Sequence, residues 1–243
     1  MVIGDYNYYY DGSAMLHALA QENQWRVGVM VDEAHNLLDR ARKMYSASLD
    51  PFDFSAARDA APPALRKAFE RLGRAWGAVN RAQDARYAAY PDVPGPIVSA
   101  LQNLVSAIGE HLAETPRAND DALLRFHFDA IQFGALAEAF DDASIFDVTL
   151  HDASAPRQPA LDGVAPSGRR RRLQSTLCVR NVIPAGFLAP RYAAARATVL
   201  FSGTLNPFDF YRDTLGLPDD TGCLDVEGPF RAEQLTMRVA SHV

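Results

Sequence analysis

Lysine is nearly absent from this chain of 243 residues, which contains only Lys43 and Lys67. A loop that grips nucleotide phosphates ends in Gly-Lys-Ser or Gly-Lys-Thr, because its backbone N–H groups cradle the phosphates and its lysine reaches the terminal ones. Arginine, not glycine, precedes both lysines here, as Arg42 and Arg66. The sequence therefore contains no phosphate-gripping loop of this kind.

Cysteine is almost as scarce. Cys178 and Cys223 are far apart in the sequence and have no ligand-like spacing. Two thiolates cannot supply the four ligands of an iron–sulfur cluster or of the usual structural zinc site. The sequence shows neither a secretory signal nor an apolar run long enough to cross a membrane, so we expect free thiols in a reducing cytoplasm and no membrane partner.

Basic residues are also fewer than acidic ones: the chain has 24 basic and 30 acidic residues, and its formal net charge is −6. This balance argues against a protein that coats nucleic acid in general, although a local basic surface stays possible. Hydrophobic residues make up 48% of the chain, which is enough for a packed core. The length fits one large domain or two smaller ones.

The most informative segment that is present is a short apolar run, residues 27–31, followed by Asp32-Glu33-Ala34-His35. The run predicts a strand of a parallel sheet covered on both faces, whose carboxyl end is where such sheets place their chemistry. Two carboxylates there suit nucleotide hydrolysis: Asp32 could hold the water shell of Mg²⁺, and Glu33 could position or deprotonate the attacking water. The alternative interpretation is that the acidic residues only cap the helix that begins at Asn36.

Periodicity predicts further elements. Residues 1–10 read as extended, and a helix is expected after the acidic motif, to about Leu49. Three amphipathic helices should then form a small antiparallel bundle. Their expected core stripes are Leu65, Phe69, Leu72, Trp76 and Val79; then Ile97, Leu101, Leu104, Ile108 and Leu112; then Leu124, Phe128, Ile131 and Phe140.

An α/β pattern resumes after this helical part. Residues 144–150 and 173–179 read as two strands that could pair as a hairpin, and residues 197–201 read as another buried strand. The hairpin tip carries Arg169-Arg170-Arg171-Arg172, a run that suits contacts with phosphates. The alternative for the arginines is an ordinary solvated charged loop.

Three segments together resemble the XPD/DinG-like DNA helicases, a branch of helicase superfamily two. Residues 5–11, with four tyrosines, resemble the aromatic stretch upstream of the family's hydrolysis motif. Residues 31–37 resemble that motif itself. Residues 200–211, which begin Leu-Phe-Ser-Gly-Thr-Leu-Asn-Pro, resemble the family's Ser-Gly-Thr-Leu-Ser-Pro segment, with Asn206 in place of the serine. The long separation of the last two segments also fits the family.

The resemblance implies an α/β fold: part of a RecA-like motor domain of the P-loop NTPase class, with a large, mainly helical, arch-like insertion. Residues 1–50 would be the first part of the motor domain, and residues 51–180 the insertion with its terminal hairpin. Residues 181–226 would resume the motor domain, and residues 227–243 would begin a second one, with a strand at 235–240. The chain is accordingly expected to be a segment of a longer protein.

The resemblance also implies roles for individual residues. Asp32 would hold Mg²⁺ through water, Glu33 would activate the attacking water, and His35 would link nucleotide state to the domain interface. Ser202, Gly203 and Thr204 would couple hydrolysis to DNA movement; the alternative for these three is a strand-to-helix turn with a capping hydroxyl. The tentative DNA contacts are Arg169, Arg170, Arg171 and Arg172.

The expected cofactors are therefore ATP and Mg²⁺, and the expected partners are single-stranded DNA and the remainder of the helicase. An iron–sulfur cluster could occur in the parent protein but would not be ligated by this chain. Without the phosphate loop, the chain alone should not hydrolyse ATP. The competing hypotheses are a stand-alone module that binds single-stranded DNA or a protein without ATPase activity, and a degenerate remnant with no activity.

Overall fold

A computed structural model describes residues 1–115, 121–152 and 173–228, together with residues 234 and 236. Helices and strands alternate along the chain, so the fold is mixed α/β with small sheets. The described residues contain nine α-helices, and two short 3₁₀ helices at Ala34–Asn36 and Pro63–Leu65. The α-helices are α1 (Asn7–Tyr10), α2 (Met15–Glu22), α3 (Leu37–Met44), α4 (Pro51–Ala60), α5 (Arg66–Ala82), α6 (Gly95–Glu114), α7 (Asp121–Glu138), α8 (Ala185–Ala194) and α9 (Phe208–Leu215).

Six strands in the described part of the chain form two separate sheets. The strands are β1 (Gly28–Val31), β2 (Ala47–Leu49), β3 (Tyr87–Tyr90), β4 (Ser144–Asp152), β5 (Leu173–Asn181) and β6 (Ala197–Leu200). Strands β1 and β6 form a parallel pair, whereas β2, β5, β4 and β3 follow one another in a four-stranded antiparallel sheet. The predicted hairpin of residues 144–150 and 173–179 is thereby confirmed as β4 and β5.

The parallel pair confirms the predicted strands at both motifs but corrects their burial. Val31 is 2% exposed and faces the core, while Met30 on the opposite face is 75% exposed. Val199, which pairs with Met30, is 52% exposed, and Phe201 is 41% exposed. The expectation of strands covered on both faces was therefore wrong for the described residues, because core residues pack against one face only.

The three amphipathic helices are confirmed as α5, α6 and α7, with α5 packed on α6 and α6 on α7. The stripe predicted for α7 was wrong in phase: Phe128 is 65% exposed and Ile131 is 42% exposed. The buried side of α7 instead carries Phe126 and Phe133 among others. This side faces α4, α6 and β2.

Two local predictions near the first motif were also wrong. The stretch at 1–10 contains helix α1 at residues 7–10, and Asp5 accepts a hydrogen bond from the Asn7 N–H at 2.9 Å. The helix after the motif ends at Met44, and residues 47–49 form β2 instead. Asp50 then caps α4 by accepting from the N–H groups of Phe52 and Asp53.

One continuous hydrophobic cluster joins the elements around both sheets. Its largest fully buried side chains include Tyr10 from α1, Phe69 from α5 and Phe146 from β4. None of the helices in the described part of the chain combines the length and apolar character that crossing a membrane requires. The predicted arginine contacts at 169–172 lie outside the described residues, and the strand predicted at 235–240 falls there except for residue 236.

Candidate nucleotide-hydrolysis site

The parallel pairing of β1 and β6 brings the two predicted motifs to the same edge of the sheet. Val31 is in register with Leu200, so the residues that follow each strand emerge side by side. The Phe201 N–H donates to the Val31 carbonyl at 3.0 Å, and the Ala34 N–H donates to the Phe201 carbonyl at 3.1 Å. These backbone hydrogen bonds fix the acidic motif against the Ser-Gly-Thr segment.

Side chains of the two motifs form one polar cluster, although Glu33 and Ser202 are 169 positions apart. Nδ1 of His35 lies 2.7 Å from Oγ of Ser202 and 3.3 Å from Oε2 of Glu33. The Ser202 hydroxyl is 3.4 Å from the same Glu33 oxygen. Because Ser202 has a single proton to donate, a change at Glu33 alters which hydrogen bond Ser202 can make with His35.

The Ser-Gly-Thr segment contributes a second hydroxyl to this cluster. Oγ of Ser202 accepts a hydrogen bond from the Thr204 N–H at 3.3 Å, and the two side-chain oxygens lie 3.4 Å apart. Gly203 lies between them, and a Cβ there would meet open space. Local packing therefore does not require glycine at position 203.

Glu33 has an unusual backbone conformation. Its φ of 47° and ψ of 42° are in the left-handed region, which costs a residue with a Cβ about 1 kcal/mol or more. Glycine would adopt this conformation without strain. The strained backbone of Glu33 places its carboxylate next to His35 and Ser202. Strained residues cluster at functional sites, so this geometry favours a functional hypothesis for Glu33 over helix capping alone. No side-chain hydrogen bond from Glu33 caps the following 3₁₀ helix.

Asp32 stands exposed at the carboxyl end of β1, and its Oδ1 accepts a hydrogen bond from the Glu33 N–H at 2.8 Å. Among the described residues no three potential ligands converge into a complete metal site. Mg²⁺ usually keeps several waters and binds through one or two carboxylates plus substrate phosphates. An exposed Asp32, with Glu33 beside it, fits that partial donor set.

The aromatic stretch at 5–11 contacts α8, the helix that precedes β6. The Tyr9 hydroxyl donates to the Arg191 carbonyl at 3.2 Å, and the Tyr10 ring meets the Tyr192 ring edge-on at 5.7 Å. The Tyr45 hydroxyl donates to the Tyr10 carbonyl. Burial raises the pKa of Tyr10 and of Tyr192, so both stay neutral. These contacts anchor α1 against α8, the helix that leads into β6.

The structure thus brings together four of the residues predicted for the site: Glu33, His35, Ser202 and Thr204. Asp32 lies next to them in the chain without a side-chain contact to the Ser-Gly-Thr segment. Sequence reasoning missed a separate arginine-lined cleft on α5, because it read that helix only for its apolar stripe. The paired glycines of the segment Gly73-Arg74-Ala75-Trp76-Gly77 are the signal that could have indicated it.

No protein-family model matches the chain, and no curated protein matches it in sequence. Solved structures resemble it in fold, among them the following two. One, titled XPD_APO, is 16% identical with a TM-score of 0.45, over 87% of this chain and 37% of that chain. The other, titled XPD_Helicase, is 15% identical with a TM-score of 0.46, over 88% of this chain and 33% of that chain. The chain spans about a third of the length of these helicase structures.

Proposed function

We propose that this chain is part of an ATP-dependent DNA helicase of the XPD/DinG type. It would supply the residues that act on the attacking water and on Mg²⁺, together with an arch-like insertion that guides single-stranded DNA. The remainder of the helicase would supply the phosphate-gripping loop and the second motor domain. The chain by itself would not hydrolyse ATP, because its sequence has no Gly-Lys-Ser or Gly-Lys-Thr.

The observation that carries the proposal is the contact between the two motifs across parallel strands. A carboxylate pair that only capped a helix would need no partner from a distant segment. Glu33 and His35 nevertheless share the Ser202 hydroxyl, within 3.4 Å and 2.7 Å respectively. A cluster of this kind can relay a change at the hydrolysis residues to the segment that follows β6.

The exposed face of the parallel pair supports the proposed membership of a larger motor domain. Parallel sheets are normally buried on both faces, and two strands are few for such a sheet. Met30 and Val199 are paired apolar residues on the uncovered face. Additional strands and helices from the rest of the protein would bury them.

The positions of the side chains are compatible with the following division of labour. Asp32 would hold Mg²⁺ through its water shell, and bound Mg²⁺ would neutralise charge on the phosphates. Glu33 would orient the attacking water and accept its proton. His35 and Ser202 would respond to the position of the Glu33 carboxylate, and Thr204 would follow through its N–H bond to Ser202. Arg169 to Arg172 would contact the DNA backbone.

The test uses the longer protein encoded by the complete reading frame, assayed for ATP hydrolysis with and without single-stranded DNA. Glu33→Gln keeps the shape of the side chain but removes the base, so we expect hydrolysis to fall at least about a hundredfold while ATP binding persists. Glu22→Gln, at an exposed position of α2, is the matched control and should retain full activity.

Two results would contradict the proposal. Steady ATP hydrolysis by the 243-residue chain alone, abolished by Glu33→Gln, would show that the site needs no phosphate loop from elsewhere. A longer protein that neither binds nor hydrolyses ATP would remove the helicase function and leave the stand-alone binding module.

A further inference from the structure

A cleft of about 430 Å³ opens between α4, α5 and the start of β5. It shares no residue with the hydrolysis cluster at the ends of β1 and β6. Its floor is apolar, formed by the buried rings of Phe54 and Trp76, which lie 5.3 Å apart between centroids. The volume is in the range of small-molecule sites.

Two glycines in the middle of α5 keep this floor open. A Cβ at Gly73 would lie 3.6 Å from the Phe54 ring, and a Cβ at Gly77 would lie 3.3 Å from Nη1 of Arg81. Neither glycine has the left-handed backbone that would require it. Each costs the helix about 1 kcal/mol relative to alanine. The two glycines therefore lower helix stability while leaving space in the cleft that side chains would occupy.

The rim of the cleft is positively charged in a chain whose formal net charge is −6. Arg58, Arg74 and Arg81 line it together with one acidic residue, Glu70, which gives the lining a net charge of +2. Arg58 pairs with Asp59 at 2.9 Å. Within the part of the chain that the structure describes, no carboxylate lies within 4.0 Å of Arg74 or Arg81, which leaves both guanidinium groups available to an anion.

The wall beside these arginines is held in place by buried polar groups. The Trp76 indole N–H donates to Oγ of Ser175 at 2.8 Å, and that hydroxyl donates to Oδ1 of Asn80 at 2.6 Å. Ser175 is fully buried. This chain of hydrogen bonds fixes β5 against α5, so the apolar floor is pre-organised next to the helix that carries Arg74 and Arg81.

We propose that this cleft binds a small phosphorylated molecule. The phosphate would contact the guanidinium groups of Arg74 and Arg81, which suit bidentate recognition of phosphate oxygens. The organic part would lie over Gly73 and the apolar floor. The inference does not depend on the proposed helicase function, because the hydrolysis residues contribute nothing to the cleft.

Calorimetric titration of the full chain with ribose 5-phosphate, at low ionic strength and without Mg²⁺, tests the proposal. The double variant Arg74→Glu with Arg81→Glu should weaken binding at least about tenfold, since each charged hydrogen bond contributes about that much. The matched control is Lys67→Glu with Arg71→Glu, the same charge change at exposed positions of α5 that do not line the cleft. It should change affinity less than about twofold.

A third variant tests whether binding depends on the absence of a side chain at Gly77, instead of on the charge of the arginines. Gly77→Ala should raise the thermal stability of the chain, because alanine is the better helix former. It should also weaken ribose 5-phosphate binding, because the new methyl group would lie 3.3 Å from Nη1 of Arg81 and shift that guanidinium group by a few tenths of an ångström. A variant that is more stable and binds more weakly cannot owe its loss of binding to unfolding.

Three outcomes would overturn the proposal. Equal losses in the two charge-reversal variants would indicate a general effect of charge. Loss of ribose 5-phosphate binding when Arg169–Arg172 are replaced by alanine, with no loss in the Arg74→Glu and Arg81→Glu double variant, would assign the phosphate contact to that run of arginines instead of to Arg74 and Arg81. Binding of oligothymidylate that depends on Arg74 and Arg81, with no binding of ribose 5-phosphate, would make the ligand a nucleic-acid backbone instead of a small molecule.

Discussion

The two sheets of this chain differ in how completely they are buried. In the antiparallel sheet, Phe146 and Val148 of β4 and Leu177 of β5 are fully buried. In the parallel pair, Met30 of β1 is 75% exposed and its partner Val199 of β6 is 52% exposed. The antiparallel sheet is therefore buried by other residues of this chain, whereas the parallel pair presents an exposed apolar face.

The origin of the difference is the way each sheet is connected. Strands β4 and β5 follow one another and pair over nine positions, as a hairpin can. Strands β1 and β6 pair over four positions and are separated by residues 32–196. A parallel pair needs a crossover connection of this kind. The parallel pair is consequently the shorter sheet, and one of its faces is left exposed.

The largest predicted effect is a difference in stability between two valine-to-alanine variants, one in each sheet. Val148→Ala removes two methyl groups from a fully buried site, so it should lower the free energy of unfolding by about 2–3 kcal/mol. Val199→Ala removes the same groups from a half-exposed site and should cost less than about 1 kcal/mol. Urea unfolding of both variants and the parent chain measures the difference.

The same pair can sharpen the comparison in the longer helicase that we propose. If additional structure covers the parallel pair, Val199→Ala should become clearly more costly there than in the 243-residue chain. A cost for Val199→Ala in the short chain as large as that for Val148→Ala would contradict the exposed face.

A second matched pair replaces a bridging serine in each region. Ser175→Ala removes the buried acceptor of the Trp76 N–H, so it should lower the free energy of unfolding by about 1–3 kcal/mol. Ser202→Ala removes the contact to His35 at a half-exposed site, where water can replace the hydroxyl, and should cost about 0.5 kcal/mol. Equal costs would mean that the Glu33–His35–Ser202 cluster stabilises the fold as strongly as a buried network.

A third comparison uses the two cysteines, both of which are free, as the sequence predicts. Burial raises the pKa of Cys178 in β5 to about 11, so only about 0.1% of it is thiolate at pH 8. Cys223 is exposed. A disulfide reagent at pH 8 should therefore label one thiol per native chain, and two in urea. Rapid labelling of Cys178 in the native chain would show that the antiparallel sheet opens.

Sequence periodicity sufficed where one apolar stripe dominates and failed where two compete. Helices α5 and α6 carry a single stripe each, and both were predicted. In α7, Leu123 and Leu124 both begin plausible stripes, and only packing against α4, α6 and β2 selects the one with Phe126. Strand β2 has three residues and exists because β5 pairs with it, so its own sequence contains too little to predict it.

The candidate site, like the fold, could be predicted only in part from the sequence. The two linear motifs, and hence Glu33 and Ser202, could be found from the sequence. Their contact follows from the parallel register, which no pattern within either motif specifies. The left-handed backbone of Glu33 has no sequence signal, because glutamate rarely adopts it. The cleft on α5 combines residues of two helices and a strand, so the paired glycines of α5 could indicate it in the sequence but could not give its lining.

The smallest predicted effect concerns pH and compares a histidine from each region. Burial lowers the pKa of His127 in α7, and burial with the nearby Arg191 lowers that of His17 in α2. In the unfolded chain both return to about 6.5. Below that pH the unfolded chain binds more protons, so stability should fall as the pH drops from 6.5 through the lower folded pKa values.

Leucine substitutions separate the two contributions. His127 is buried at 8% exposure whereas His17 is only partly buried, so His127→Leu should remove more of the acid-induced loss than His17→Leu. Unfolding in urea at pH 7 and at pH 5 gives the loss for each variant. Within the described part of the chain, Nε2 of His17 and Nδ1 of His127 are buried without a hydrogen-bond partner, so leucine removes an unsatisfied polar atom as well as the cost of protonation. Neither variant should therefore be less stable than the parent at pH 5. A steeper loss in His127→Leu would mean that protonated His127 is accommodated, and that the interior around α7 is less closed than its 8% exposure indicates.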